Sequence, residues 1–233
     1  MAAVTRIEDL RSNLSAVRAH IDTAARTADR EPGDVALLPV TKFHPATDLE
    51  LLLELGVTDV AENREQEARA KAAAVPDMRI HMIGQIQTKK ANAVARWAAS
   101  VHSLDSVRLA EALDRGVALA VERGDRPDGV LPVFLQLSAD GDTARGGVAE
   151  DNLPALVDAV RAAAHLELQG LMVVPPLGAD PAPTFAHARM LCDRLGPRMK
   201  LSAGMSADLE DAIAQGSDIV RVGTDVMGPR PLA

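Results

Sequence analysis

The chain has no tyrosine, a single cysteine and only 2% aromatic residues in 233 positions. Without a phenol, one of the common general bases is missing from any chemistry the chain performs. The lone thiol, Cys192, excludes an intrachain disulfide and a CxxC site, and its setting in ARMLCDRL reads as a helix core rather than a nucleophile. Long apolar runs are missing too. The longest, such as VLPVFLQL at 130–137, are strand-sized, so neither a signal peptide nor a spanning segment is expected. Basic residues are outnumbered, 25 Lys+Arg against 33 Asp+Glu for a net charge of -8, which argues against a nucleic-acid or anionic-membrane surface. No HExxH, GxGxxG or GxxxxGK[ST] motif occurs, and no paired His/carboxylate spacing supports a metal site. A small solute bound in a reducing, cytoplasmic setting fits this composition.

What is present is alternation. Ile7, Leu10, Leu14, Val17, Ile21, Ala24 and Ala28 recur at spacings of three and four and predict a leading helix over 4–28, with Thr5 and Glu8 as a capping box. Strand signals then fall at 35–42, 58–63, 79–84, 100–105, 130–137, 166–174, 200–204 and 218–225, and seven helical stretches separate them. Eight near-continuous apolar strands in strict βα alternation predict an α/β fold, a single (β/α)8 TIM-type barrel with an extra N-terminal helix; a doubly wound open sheet is the competitor. Pro39 and Pro132 remove ladder donors and mark bulges or strand starts. No linker or repeat divides residues 1–233, which read as one domain.

In such a barrel the functional groups sit at the C-terminal strand ends. Those ends are Lys42, Glu62-Asn63, Gly84 with Gln87, Ser103, Gln136, Met172, Ser202 through Ser206 and Arg221 through Thr224, a polar ring around a lysine. Alternation puts Lys42 on the side of Leu38 and Val40, where a desolvated amine is a candidate Schiff-base nucleophile; a snorkelling strand-end lysine is the plain alternative. LSAGMSAD offers Ser206 as helix N-cap and anion donor, and VRVGTD offers Gly223 and the Thr224 hydroxyl after the last strand. Arg221 lies among Ile219, Val220 and Val222 in a strand that should be buried, so it needs a partner. Glu62 is one candidate; a ring nitrogen, to which arginine can only donate, is the other. His81 and His102 read as satisfied core histidines.

The segments VTK, AENREQE at 61–67, IHMIGQIQTKK at 80–90, GLMVVPP at 170–176 and LSAGMSADLEDAIAQGSDIVRVGTDVMG at 201–228 stand in order. Together they resemble the pyridoxal 5'-phosphate homeostasis protein family, also described as alanine racemase N-terminal-domain-like. The resemblance implies a pyridoxal phosphate (PLP) binding and supply protein with Lys42 as the Schiff-base anchor. Ser206, Gly223 and Thr224 would hold the phosphate, Arg221 would face the pyridine nitrogen, and Asn63, Met172 and Ser202 would line the ring. The first reading is then a monomer that supplies PLP-dependent apo-enzymes, with a slow amino-acid racemase as the alternative; a third reading, a Schiff-base aldolase on a phosphorylated sugar, rests on the barrel fold, which hosts that chemistry too. Departures stand at Ala61 and Arg64 (family GENY), at Lys89 (family QSNK) and at Arg145, where the family usually carries a loop lysine. Racemases resembling this barrel carry a second, β-rich domain with a tyrosine base, and this chain has no tyrosine to offer.

Overall fold

The computed structural model describes residues 2–127, 129–142 and 146–230. Arg145 lies outside the described residues. Strands and helices alternate as expected: α1 (Ala2–Thr27), β1 (Ala36–Pro39), α2 (Ala46–Glu54), β2 (Asp59–Glu62), α3 (Glu65–Ala74), β3 (Arg79–Met82), α4 (Ala91–Trp97), β4 (Ala98–Leu104), α5 (Val107–Glu122), β5 (Leu131–Leu137), α6 (Leu153–Ala162), β6 (Leu166–Val173), α7 (Pro181–Leu195), β7 (Lys200–Ser202), α8 (Leu209–Ala214), β8 (Ile219–Val222) and α9 (Thr224–Met227). All strand pairs are parallel, in the order β1-β8-β7-β6-β5-β4-β3-β2. The sheet closes on itself through one bridge, Val40 to Ala61, where the Thr41 N–H donates to the Ala61 carbonyl at 3.0 Å. The (β/α)8 barrel is therefore the architecture, and its seam lies at the turn that carries Lys42.

Apolar side chains fill the layer between strands and helices, because parallel strands covered on the outside by helices must present a dry face to them. Leu104, Leu113, Leu131, Leu135 and Phe185 are fully buried in this layer. The inside of the barrel differs from that apolar expectation. Leu38, Val40 and Ala61 form a small apolar cluster, while His102 on β4 bonds Ser202 on β7, a strand that is not its neighbour in the sheet. Such a bond must cross the lumen. Pro132 is the second residue of β5, just before a register shift at Val133/Phe134, as expected of a strand start or bulge, whereas Pro39 is the last residue of β1 and marks a strand end instead.

Helix α1 buries Leu10, Leu14, Val17 and Ile21, the predicted stripe. It begins at Ala2, so Thr5 lies within the helix and the expected capping box does not mark its start. Arg6 donates to Asp48 and to the Met227 carbonyl, and Asn13 donates to the Val226 carbonyl at 3.1 Å. These bonds tie α1 to α2 and to the short helix α9, an element the sequence pattern did not predict. Cys192 is buried and donates to the Lys200 carbonyl at 3.3 Å, a core thiol as expected. No helix among the described residues is long and apolar enough to cross a membrane.

At the β6–β7 contact, Gly170 has φ +146° and a Cβ there would sit 1.9 Å from the Lys200 carbonyl oxygen. Neither backbone can give way without breaking the ladder. Gly170→Ala is expected to destabilise the fold by about 2 kcal/mol or more, measured by denaturant unfolding; a change under about 0.5 kcal/mol would contradict this account of the β6–β7 contact.

Candidate functional site

A cavity of about 380 Å³ opens at the C-terminal mouth of the barrel, and seven of the eight expected site residues line it: Lys42, Asn63, Met172, Ser206, Arg221, Gly223 and Thr224. Each arrives there for a local reason. Lys42 stands in the turn that follows β1, three residues beyond Pro39, where the strand has ended but the seam bridge still holds Val40. It is half-buried and makes no hydrogen bond or ion pair among the described residues. Asn63 follows β2 directly; Gly84 packs so tightly against it that a Cβ would lie 1.9 Å from the Asn63 carbonyl oxygen. Met172, in β6, is buried at 2% exposure.

The expected polar ring is only partly formed. The lining comes from the loops and ends of β1, β2, β3, β6, β7 and β8, and Gln87, Ser103 and Gln136 are not part of it; Ser103 turns to the Gly84 carbonyl at 2.6 Å. Ser202, the eighth expected residue, lies behind the cavity wall and is fully buried, so it supports the wall instead of lining it. Ser206 is not an N-cap. Helix α8 starts at Leu209 with Asp208 before it, and the Asp208 carboxylate accepts the Met205 N–H at 2.6 Å, which folds residues 205–208 into a turn. Within that turn the Ser206 hydroxyl has no acceptor or donor among the described residues, and the same holds for the exposed Thr224 hydroxyl at the start of α9.

Arg221 is the most constrained group. It is buried at 4% exposure without a carboxylate partner; Glu62, the candidate considered from sequence, points to the other side of its strand. Its guanidinium donates to Ser202 Oγ at 2.9 Å and to the Val173 carbonyl at 3.0 Å. Because arginine can only donate, Ser202 accepts from it and is free to donate its own proton to His102 Nδ1, 3.0 Å away. This assigns His102 the tautomer protonated at Nε2. Burial first, then the nearby His81 and Arg221, hold His102 well below the ordinary imidazole range, so it is neutral. Burial pushes Arg221 down to about 10, still charged at neutral pH. His81, 5.9 Å from His102 ring to ring, bonds Ser100 and Asp59. Both histidines are satisfied core groups, as read from sequence.

Several contributors were not singled out in the sequence. Phe43, His44, Ile83, Val174 and Arg230 also line the cavity. Phe43 has φ +69° and lies under two guanidiniums, Arg64 at 5.2 Å and Arg230 at 4.3 Å from its ring centre. His44 is lowered mainly by burial. Lys71 is the largest omission: in an alanine-rich helix read as polar, it is buried at 4% exposure and pairs with Glu62 and Glu67. A signal for it existed, since Ala68, Lys71 and Val75 fall at spacings of three and four on one face. No acidic side chain among the described residues lines the cavity, although the chain is acidic overall. With Lys42, Arg221 and Arg230 in its walls, it is a site for an anion.

Comparison with known proteins places this geometry in context. The family model described as alanine racemase, N-terminal domain, matches residues 12–231. The pyridoxal phosphate homeostasis protein of Corynebacterium glutamicum is 55% identical over 221 residues, covering 93% of this chain and all of that protein. Among solved structures, PipY of Synechococcus elongatus with PLP bound superposes with a TM-score of 0.78 at 32% identity, covering 94% of this chain and 100% of that one. An alanine racemase from Corynebacterium glutamicum shares the fold at 15% identity and TM-score 0.67, with 62% of its own length covered.

The neutral state of His102 has a pH signature. The unfolded imidazole binds a proton near pH 6.5 while the folded one resists, so the stability it contributes is present above that pH and is lost as the pH falls. Glu62, whose carboxyl is raised by burial, works in the opposite sense above pH 4.5. The difference between variants isolates the histidine. His102→Gln is expected to narrow the stability gap to wild type, or reverse it, by up to about 1.4 kcal/mol per pH unit between pH 6.5 and 5, read by urea unfolding. Parallel profiles would show that His102 is not held neutral.

Proposed function

The chain belongs to the pyridoxal phosphate homeostasis protein family, and from that premise we propose that it binds PLP in the cavity at the barrel mouth, held covalently on Lys42, and supplies it to apo-enzymes as a monomer with little or no turnover. One observation carries the reading. A half-buried lysine shares a cavity with a buried arginine that has donors to spare and with two hydroxyls, and among the described residues neither the lysine nor the hydroxyls have a side-chain partner. The donor set suits a phosphorylated aromatic aldehyde: an amine for the aldehyde, an obligatory donor for a ring nitrogen, and hydroxyls for the phosphate.

Lys42 would anchor the cofactor through a Schiff base. Ser206 and Thr224 would donate to the phosphate beside Gly223, where the absence of a side chain leaves the backbone open to close approach. Met172 and Asn63 would pack against the ring. Ser202 takes a supporting role, since it braces the guanidinium of Arg221 from behind. When bound, PLP supplies an electrophilic carbonyl and, if its ring nitrogen is protonated, an electron sink. Arg221 would act against the second property. It has three of its five N–H donors left after bonding Ser202 and Val173, and an arginine facing the ring nitrogen keeps that nitrogen unprotonated. Holding the cofactor without activating it for carbanion chemistry is what a carrier requires. The exposed rim residues Phe43, Met205, Thr224 and Arg230 leave the mouth open for transfer.

The purified protein, incubated with PLP, is expected to be yellow, to bleach with borohydride and to carry a reduced pyridoxyl adduct on the peptide containing Lys42; Lys42→Ala should show none of these. A wild-type protein that stays colourless and unmodified sinks the proposal. Ser206→Ala and Thr224→Val are each expected to weaken PLP binding by about 1.5 kcal/mol, roughly tenfold, while leaving the weaker binding of unphosphorylated pyridoxal unchanged. Equal losses for both ligands would remove these hydroxyls from the phosphate grip.

A further inference from the structure

The turn that carries Lys42 is closed by one backbone bond of its own, from the His44 N–H to the Thr41 carbonyl at 3.1 Å, which by itself does not account for the strained residue inside it. Phe43 adopts φ +69°, a conformation that a bulky side chain avoids and that persists only where neighbours enforce it. Three side chains do so, all from β2 and α3. Lys71 Nζ donates to the Thr41 carbonyl at 2.8 Å, Glu62 Oε1 accepts the Thr41 hydroxyl at 2.6 Å, and Glu67 Oε1 accepts the Phe43 N–H at 2.7 Å. Lys71 also binds both carboxylates and so joins the three contacts into one cluster. The residues on either side of Lys42 are therefore fixed, while the Lys42 side chain, which makes no bond among the described residues, lines the cavity.

Core stability does not account for such a cluster. Glu62 is fully buried, its Oε2 has no partner, and burial raises its carboxyl above the ordinary range. Well-packed apolar residues commonly replace a buried ion pair at no loss, so a half-satisfied one is weak evidence for a stabilising role. What it supplies is geometry: two acceptors and a donor at set positions around one turn. Taking Lys42 as the cofactor anchor proposed above, we propose that Lys71, Glu67 and Glu62 are positioning residues that hold the Lys42 turn in its strained shape, so that the Lys42 amine meets the aldehyde without prior rearrangement.

The test separates action through Lys42 from general support of the cavity. Lys42 Nζ forms the C=N bond to an aldehyde carbon, the aldehyde oxygen leaving as water; PLP reports this bond by its absorbance. Pyridoxine 5'-phosphate has the same ring and phosphate but no aldehyde, and reports the cavity alone by calorimetry. For Lys71→Met, which keeps most of the volume and loses the donor, the rate of bond formation with PLP is expected to fall roughly ten- to hundredfold. Affinity for pyridoxine 5'-phosphate should change by less than about twofold. Glu67→Met, on a half-buried residue, removes the acceptor for both Phe43 and Lys71 and provides the same comparison if Lys71→Met does not fold, with the same direction expected. In a Lys42→Ala background the Lys71→Met change should have no effect on binding of either ligand. Parallel losses for both ligands, or an unchanged rate with PLP, would overturn the positioning role. A wild-type protein that binds pyridoxine 5'-phosphate but forms no bond with PLP overturns the anchor assignment itself, an outcome distinct from the variants' behaviour.

Discussion

A buried guanidinium in the cavity wall, with no carboxylate in ion-pair contact among the described residues, is the constraint around which the lumen is arranged. Arg221 keeps its proton, so every group around it must accept a hydrogen bond or stay neutral. Ser202 and the Val173 carbonyl accept; His102, whose ring lies 4.2 Å from that of Phe134, remains uncharged and accepts a hydrogen bond from the Ser202 hydroxyl at Nδ1. A second positive charge at His102 would set two cations against each other in a medium of low polarity. The unusual polarity of this barrel's interior, where aliphatic side chains commonly stack, has two centres: Ser202 and His102 answer to Arg221, while His81 and Ser100 bond each other and His81 bonds Asp59.

A second tension sits at the seam. Barrel closure between β1 and β2 rests on one bridge, Val40 to Ala61, where β1 with β8 and β2 with β3 each pair over four residues. The chain leaves β1 at this point in a strained turn. The charged cluster of Glu62, Glu67 and Lys71 lies on the helix side of that turn and the anion cavity on the lumen side, with the backbone of Thr41 to Phe43 between them. Two lysines thus differ within a short distance: Lys71 is spent on the backbone and on carboxylates, and Lys42 has no partner among the described residues.

The chain's surface and its site also carry opposite charge. With a net charge of -8 and no acid lining the cavity, the protein repels anions in general but presents a cationic concavity to one that fits. Helix α1 contributes from outside, because Arg6 and Asn13 bond the carbonyls of Met227 and Val226 in α9 and so steady the loop that carries Gly223 and Thr224. The leading helix is therefore part of the site's support as well as cover for apolar surface.

The sequence alone specified what depends on local pattern. Alternating strand and helix periods, uninterrupted by a linker, give an eight-stranded parallel barrel because each apolar strand needs a helix to cover it and each crossover returns the chain in the same direction. The strand ends then name Lys42, Asn63, Met172, Arg221, Gly223 and Thr224 as groups that must converge, since all C-terminal ends of a barrel share one rim. Only the tertiary structure decided the rest. It showed that Ser202 braces Arg221 from behind, that Ser206 sits in a turn and not at a helix cap, that Glu62 serves Lys71 and Thr41 on the outer side of β2, and that Lys71 is buried at all. Those facts depend on which face of a strand a side chain takes and on partners tens of residues away, and pairing across a lumen leaves no periodic trace in the chain that encodes it.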